Sequence, residues 1–327
     1  MNAVDLTGQD LGWEPDPSVV ALGGGHGLAA SLSALRRITA NITAVVTVAD
    51  NGGSSGRLRH EFGVLPPGDL RMALAALCGD DRWGQTWARV LQHRFSSGGD
   101  LDGHAVGNLL IVALWELLGD HVDGLDWVAG LLGARGRVLP MTTTPLDITA
   151  DVRGAADGPP DEVSTVRGQV EVATTSGSIL GVHLDPPDPS ACPEVLDAVR
   201  RADWVVLGPG SWYSSVLPHL LVPELRKALV ETSARLVVTL NLQPHLDETP
   251  GFTAAEHFGV LLDEVPELGV DTLLADPSAV VDVPGLQAAA ADAGARLELA
   301  DVSLAGAPGH HDPEKLSRAY ARIMRAN

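Results

Sequence analysis

The chain has few of the residues that mark several large classes of protein. It contains two cysteines, Cys78 and Cys192, in unrelated contexts, so it has neither a disulfide framework nor the spacing of a zinc site. Its 22 basic residues are outnumbered by 42 acidic ones, and a net charge of −20 argues against a nucleic-acid or anionic-membrane surface. The most apolar run, NLLIVALWELLG, contains Glu116 and is too short to span a bilayer. These features predict a cytoplasmic protein that neither binds nucleic acid nor crosses a membrane.

The order of the apolar runs predicts an α/β fold. The runs SVVALGG (18–24) and NITAVVTVAD (41–50) are typical of buried strands, and GLAASLSALRRI between them has leucines at helical spacing. Such a βαβ unit implies parallel strands. Residues 68–135 have the spacing of helices, and the alternation of strands and helices returns after residue 190. We therefore predict a Rossmann-like, doubly wound, mainly parallel sheet.

Composition divides the chain into two parts. Residues 1–17 are polar, lack the apolar core of a signal peptide and are expected to form a loose leader. Residues 18–327 are expected to form one α/β domain. Within it, a small and partly antiparallel β section is expected at about 137–185, from the runs RVLPMTT, DITADV, GQVEVATT and ILGVHLD.

Glycine-rich turns follow two of the predicted strands. In LGGGHGLAAS the glycines could bring backbone N–H groups to a phosphate at a helix N-terminus, or simply form a tight turn. The dinucleotide fingerprint needs a third glycine where Leu28 stands, and no Walker Gly-Lys-Ser/Thr occurs, so dinucleotide redox chemistry has the least support. The run VVLGPGSWYSS (205–215) is a second candidate cradle for an anion.

The run TVADNGGSSGRLR (47–59) combines an acid, glycines, hydroxyls and cations at a predicted strand end. We expect a flexible loop in which Asp50 binds a ribose, a metal or a proton and Arg57 and Arg59 bind phosphate. A flexible surface loop with solvated arginines is the alternative. The segment GGSSG also matches the nucleophile-elbow motif G-x-S-x-G, with Ser54 as the nucleophile. In that motif the turn follows the strand directly, whereas here Asp50-Asn51 separates the strand from the turn.

Further candidates lie at the starts of predicted helices. In PPGDLRMALAAL, Asp69 is placed either as an N-cap or as an acid of the site. Arg71 would oppose the helix dipole in the first turn unless an anion is bound nearby. Asn108 opens the most apolar helix, and the segment His310–Asp312 could hold a metal but lacks supporting ligand spacing.

Taken in order, six segments resemble the YvcK-type gluconeogenesis-factor family, which is related to CofD, 2-phospho-L-lactate transferase. The segments are ALGGGHG, VTVADNGGSSGRLR, PPGDLRMALAAL, HAVGNLLIVAL, ADWVVLGPGSWYSSVLPHLLV and LNLQPHLDETPGFTAAEH. The resemblance implies a Rossmann-like fold with a nucleotide pocket at the strand ends. It also implies binding of UDP-sugars, notably UDP-N-acetylglucosamine, and regulation of carbon metabolism, cell wall and cell shape. No reaction is attached to this branch, whereas the CofD relative uses Mg²⁺ to move a phospholactyl group from a nucleotide-diphosphate donor.

The loops and the resemblance together give a set of candidate residues. The ligand-binding candidates are Gly23, Gly24, Gly25, His26, Gly27, Asp50, Asn51, Gly53, Ser54, Ser55, Arg57, Asp69, Arg71, Asn108, Gly208, Gly210, Ser211, Asn241 and Gln243. Asp50 and Asp69 are the candidate catalytic acids, and Mg²⁺ is the candidate cofactor. Two departures from the family pattern weaken the inference: His26 replaces a threonine, and Asn241-Leu242-Gln243 stands where Met-Thr-Gln is common.

Two functions are considered, and the first is favoured because the loops explain a phosphate site whereas no acid–base pair is fixed by spacing. The first is a regulatory sensor that binds a nucleotide sugar and acts on protein partners in cell-wall regulation. The second is a Mg²⁺-dependent transferase that uses a nucleotide-diphosphate donor, as the CofD relative does. Whether the chain is an enzyme is left undecided, and a homo-oligomer is compatible with both functions.

Overall fold

The structure, a computed structural model, describes residues 16–155, 159, 161–242 and 251–325. The expected leader at 1–17 lies mostly outside these residues, and the leader and the single domain over 18–327 both stay predictions. Among the described residues, no helix has the length and apolar character needed to cross a membrane.

Ten short strands occur in the described part of the chain. In chain order they are β1 (Val19–Gly23), β2 (Ile42–Val46), β3 (Arg137–Pro140), β4 (Asp147–Arg153), β5 (Val163–Arg167), β6 (Ser178–Asp185), β7 (Trp204–Leu207), β8 (Arg235–Thr239), β9 (Thr272–Ala275) and β10 (Arg296–Leu299). Seven of them form a parallel sheet in the order β10-β9-β8-β7-β1-β2-β3. Every residue of β1, β7 and β9 is buried, which is typical of a parallel sheet covered on both faces. The predicted doubly wound sheet is confirmed.

Helices alternate with these strands. In chain order they are α1 (Gly25–Leu35), α2 (Gly53–Phe62), α3 (Gly68–Leu77), α4 (Arg82–Gln92), α5 (Val106–Leu118), α6 (His121–Leu132), α7 (Gln169–Ala173), α8 (Pro193–Arg201), α9 (Leu217–Leu221), α10 (Pro223–Glu231), α11 (Ala254–Glu264), α12 (Val283–Asp292) and α13 (Pro313–Arg325). A π-helical turn, Trp212–Val216, precedes α9. The helices expected over 68–135 are therefore confirmed as α3 to α6.

A second, antiparallel sheet has the order β5-β4-β6. Residues 137–140 do not belong to it, because β3 pairs in parallel with β2 in the main sheet. The strand expected from GQVEVATT is wrong: Gly168, at φ 110°, turns the chain into α7. Alternating valines favoured a strand, but Val172 is fully buried whereas Val170 is 42% exposed, as on a helical turn.

The flexible loop expected at 50–59 is also wrong, because α2 begins at Gly53. The chain turns into this helix where Gly52 N–H donates a hydrogen bond to Asp50 Oδ1 (2.9 Å). Ser54, Ser55 and Leu58 form the buried side of the helix. Because glycine has a low helix propensity, this sequence does not indicate a helix. The helix is stabilised by tertiary packing rather than by intrinsic propensity.

The main sheet changes direction between β1 and β7. From β1 the chain moves outward through β2 to β3, and after the small sheet it returns to β7 on the other side of β1. Both neighbours of β1 are parallel to it, so the carboxyl ends of β1, β2 and β7 lie at one edge. In open α/β sheets, ligands bind in the crevice at this switch point.

Candidate functional site

Two glycine loops meet at the switch point. Loop 23–27 comprises the last residue of β1, Gly24 and the first turn of α1, and loop 208–211 follows β7. A Cβ atom on Gly27 would lie 2.1 Å from the Pro209 carbonyl oxygen, so this contact requires glycine. His26 is exposed beside it. The two cradles predicted from the sequence therefore lie side by side, and we call the region formed by these loops and the residues next to them the strand-end site.

Loop 208–211 is held in place by Asn241, which lies just beyond β8. Gly210 N–H donates to Asn241 Oδ1 (2.9 Å), and Asn241 Nδ2 donates to the Gly210 carbonyl oxygen (2.7 Å). Both ends of the amide are thus engaged by the backbone, and Asn241 positions the loop. Ser211 Oγ accepts a hydrogen bond from Ser214 Oγ (2.7 Å). Gln243 lies outside the described residues.

Two carboxylates lie beneath the loops. A Cβ atom on Gly24 would be 2.6 Å from Asp69 Oδ2, and one on Gly68 would be 3.1 Å from Asp50 Oδ2. Burial, and then the neighbouring charge of Asp50, raises the pKa of Asp69 from 3.8 to about 7. The two candidate acids are therefore electrostatically coupled, and Asp69 changes its charge near neutral pH.

Asp69 is not an N-cap. The N-cap of α3 is Pro67, no side chain caps this helix, and Asp69 lies inside its first turn. Its carboxylate instead interacts with the backbone N–H of Gly25, in the glycine loop after β1. The helix begins at Gly68, one residue before Asp69, so α3 starts earlier than the Asp69 signal predicted. The carboxyl is thereby turned toward the strand-end site.

Arg71 reaches the same region from α3. Its side chain is only 4% exposed, and Nε and Nη1 have no hydrogen-bond partner among the described residues. Burial and the charge of Arg94 lower the pKa of Arg71 to about 10, although Asp69 and Asp50 act in the opposite direction. A Cβ atom on Gly107 would lie 2.7 Å from Arg71 Cγ, so this glycine makes room for the side chain. Arg71 is thus a buried cation with donors free for an anion.

Ser54 and Asn108 form a buried polar cluster behind the site. Ser54 Oγ accepts hydrogen bonds from Asn108 Nδ2 (3.0 Å) and from Ala105 N–H (3.3 Å). Its own proton therefore goes to His104 Nδ1 (3.0 Å), whose pKa is lowered by burial. The hydroxyl proton and both lone pairs of Ser54 Oγ are thus used in hydrogen bonds. Ser54 connects α2 to the start of α5 and is not placed as a free nucleophile. Asn108 Oδ1 is buried without a partner in the described chain.

Arg57 and Ser55 take different directions from α2. The exposed Arg57 donates to the carbonyl oxygens of Asp100 (3.3 Å) and Asp102 (2.6 Å), on the loop before α5. Ser55 faces inward, and a Cβ atom on Gly68 would lie 2.2 Å from its Oγ. Ser55 therefore borders the carboxylates, whereas Arg57 is bound to a neighbouring loop.

The small sheet supplies one side of the site through α7, which sequence reasoning missed. Asn51 Nδ2 donates to Glu171 Oε2 (2.6 Å), and Val170 N–H donates to Asn51 Oδ1 (3.1 Å). Gln169 Nε2 donates to the Ser214 carbonyl oxygen (2.8 Å). These contacts join segments far apart in the sequence, so no local pattern could have revealed them.

His219 is a second residue that the sequence did not indicate. It is fully buried below the site, where its Nε2 lies 3.1 Å from the Val45 carbonyl oxygen and burial lowers its pKa to about 4. Beside it, Thr47 Oγ1 donates to the Ser215 carbonyl oxygen (2.7 Å). A neutral histidine and a threonine therefore support the end of β2 and the π-helical turn.

The sequence profile of the family described as 2-phospho-L-lactate transferase CofD matches residues 19–305. That range holds all ten described strands and both glycine loops. The chain belongs to the CofD family.

Relatives of this CofD-family chain have a second description in common. A Mycobacterium tuberculosis protein described as "Putative gluconeogenesis factor" is 50% identical over 302 residues, which are 91% of this chain and 88% of that protein. The "Gluconeogenesis factor" of Listeria innocua is 37% identical over 267 residues, 82% of this chain and 80% of that one. The crystal structure of a upf0052 family member from Bacillus halodurans superposes with a TM-score of 0.82 at 33% identity, covering 94% of this chain and 100% of that one. The family resemblance inferred from the motifs is confirmed.

The CofD-family site contains two carboxylates rather than a closed metal cage. Within the described residues, no group of three or more His, Cys, Asp or Glu side chains is arranged to hold a metal. At the segment His310–Asp312, Asp312 Oδ1 instead accepts a hydrogen bond from Glu314 N–H (2.8 Å) at the start of α13. Any cation at Asp50 and Asp69 would therefore complete its coordination with water and ligand oxygens.

Proposed function

We propose that this chain is a cytoplasmic regulatory protein that binds a nucleotide sugar, UDP-N-acetylglucosamine, in the strand-end site. Binding of this ligand would change a surface that is recognised by protein partners, which act in carbon metabolism and in control of the cell wall and cell shape. The proposal is supported by the glycine loops at the switch point and by relatives described as gluconeogenesis factors.

The observation that carries the proposal is that Nε and Nη1 of the buried Arg71 side chain have no hydrogen-bond partner among the residues that the structure describes. A buried charge without hydrogen-bond partners is costly, and a protein keeps one where a ligand supplies the missing partners. Arg71 combines 4% exposure with free donors at Nε and Nη1. A diphosphate offers anionic oxygens that match a guanidinium in charge and geometry. Backbone N–H groups of the glycine loops and the start of α1 add favourable dipoles for the same anion.

The second candidate function is transfer from a nucleotide-diphosphate donor. It is favoured by one observation, the coupled pair Asp50 and Asp69, because a carboxylate whose pKa is about 7 suits proton transfer near neutral pH. The pair also fits Mg²⁺, which binds one or two carboxylates and completes its shell with water and phosphate. When bound, the ion would neutralise charge on the phosphates. Asp69 itself could hold or accept the proton of an acceptor hydroxyl.

Calorimetric titration with UDP-N-acetylglucosamine, with and without Mg²⁺, tests both functions. We expect binding to the wild type and a loss of about tenfold or more in Arg71→Met, which keeps the length of the side chain but removes its charge. Arg89→Met is the matched control, because Arg89 is exposed on α4. Recovery of intact ligand would support the sensor, and cleavage or transfer would support the transferase. Equal affinity in wild type and Arg71→Met would contradict the assignment of Arg71.

A further inference from the structure

A groove of about 500 Å³ lies between α2 and the small antiparallel sheet. We call it the α2–β5 groove; it is lined by Gly56, Arg59 and His60 of α2 and by Asp147, Arg167 and Gly168. The three residues of α2 have the spacing of one helix face, so they form one wall. The volume is in the range of small-molecule sites. Neither glycine loop lines this groove, so it is separate from the cradle of the strand-end site.

Asp147 stands between two arginines in this groove. Arg59 Nη2 is 2.6 Å from Asp147 Oδ1, and Arg167 Nη2 is 2.8 Å from Asp147 Oδ2. Arg167 also pairs with Asp185 on β6. With Asp185 included, two guanidinium groups face two carboxylates in and beside the groove. Arg59 and Arg167 converge on the single carboxylate of Asp147, and a position held by one carboxylate between two guanidinium groups also suits a phosphate or a carboxylate of a ligand.

The ion pair of Arg167 is placed so that a ligand can replace it. The Arg167 side chain is 55% exposed, and exposed ion pairs contribute little to stability. Arg59 is more enclosed, at 19% exposure, so its guanidinium is held on the wall of α2. A phosphate or carboxylate that enters the groove would offer both arginines the kind of oxygen that Asp147 now provides.

We propose that the α2–β5 groove binds the phosphate or carboxylate group of a small molecule between Arg59 and Arg167, in exchange for Asp147. Asn51, which also lines the groove, is bound to α7 and lies at the boundary with the strand-end site. Both ends of UDP-N-acetylglucosamine are uncharged, so the anionic group belongs to a separate molecule. This inference uses the groove residues alone and does not require the proposed function.

Calorimetry with inorganic phosphate and with glucose 6-phosphate, at constant ionic strength, tests the groove. Glucose is the uncharged control. We expect Arg167→Gln to weaken binding of both anions about tenfold or more, since it removes charge-assisted hydrogen bonds. Asp147→Asn should strengthen binding, because it removes the competing carboxylate while keeping the shape. Arg153→Gln, an exposed arginine on β4 of the same sheet, should leave the affinity unchanged.

Two further arms separate the two sites. In the Arg71→Met background the anions should still bind, so that a loss of binding at the strand-end site is distinguished from a loss of binding in the groove. Saturation with UDP-N-acetylglucosamine should leave glucose 6-phosphate binding intact, because the diphosphate of that ligand lies between two uncharged groups; loss of glucose 6-phosphate binding would overturn the assignment of a separate groove. Folded Arg167→Gln and Asp147→Asn proteins that bind both anions as the wild type does would overturn the proposal. So would an absence of anion binding in the wild type.

Discussion

Replacement of Asp69 by asparagine should stabilise the protein, and increasingly so as the pH rises. Asp69 keeps its proton up to about pH 7 in the folded chain, whereas the model value for an unfolded aspartate is 3.8. Between these two values the unfolded state has released a proton that the folded state still binds. Folding therefore loses stability as the pH rises through this window, and the loss is complete above the folded pKa. The asparagine side chain has the same shape as that of aspartic acid but does not ionise, so the Asp69→Asn variant does not lose this folding stability as the pH rises.

The size of the effect follows from the two pKa values. A rise from 3.8 to about 7 corresponds to about 4 kcal/mol at ~1.36 kcal/mol per pH unit. Roughly half of it, about 2 kcal/mol, falls between about pH 5.5 and the folded pKa of about 7, a range that is clear of the isoelectric point near 4.7. The stability gap between Asp69→Asn and wild type should thus widen by about 2 kcal/mol between about pH 5.5 and about pH 8.

Urea unfolding in the presence of a chelator measures this gap directly, with an unchanged m-value as the test of two-state behaviour. Asp263→Asn, an exposed aspartate on α11, is the matched control and should show no such trend. In an Asp50→Asn background the gap should shrink, because Asp50 contributes to the raised pKa of Asp69. A gap that is constant across the pH range, or that narrows as the pH rises, would refute the electrostatic coupling inferred for the pair.

Two other substitutions test the packing of the site. Gly27→Ala places a Cβ atom 2.1 Å from the Pro209 carbonyl oxygen, so it should destabilise by about 1–3 kcal/mol in urea unfolding and weaken binding of UDP-N-acetylglucosamine. In Gly130→Ala the Cβ atom meets nothing within 4 Å, and this helical control should be neutral or stabilising. Ser54→Ala should cost about 1–3 kcal/mol, because Asn108 Nδ2 loses its acceptor; an unchanged urea midpoint would contradict the hydrogen bonds assigned to Ser54.

The sequence predicted best what depends on local pattern. Buried strands at β1 and β2 follow from short apolar runs, and the glycine loops follow from turns that only glycine permits. Arg71 was a candidate because a cation in the first turn of a helix conflicts with the helix dipole. Its burial and free donors depend on Gly107 and the packing of α5, which are far away in the sequence.

The sequence failed where distant segments decide the structure. The glycines of α2 lower its helix propensity, and burial of Ser54 and Leu58 against other elements overrides that preference. The alternating valines of α7 favoured a strand, but Gly168 turns the chain there and Asn51 docks the resulting helix. Asn241 had the chemistry of a ligand contact, and only the fold shows that Gly210 engages both ends of its amide.

The most direct test of the central claim is the proton–nitrogen NMR signal of Arg71 Nε, assigned by its loss in Arg71→Lys. In the part of the chain that the structure describes, this N–H is buried without a partner. Addition of UDP-N-acetylglucosamine should move the signal downfield as the N–H donates to a phosphate oxygen, and addition of uridine should leave it in place. A signal that stays unmoved while the nucleotide sugar binds, or the absence of any binding, would contradict the account of the strand-end site.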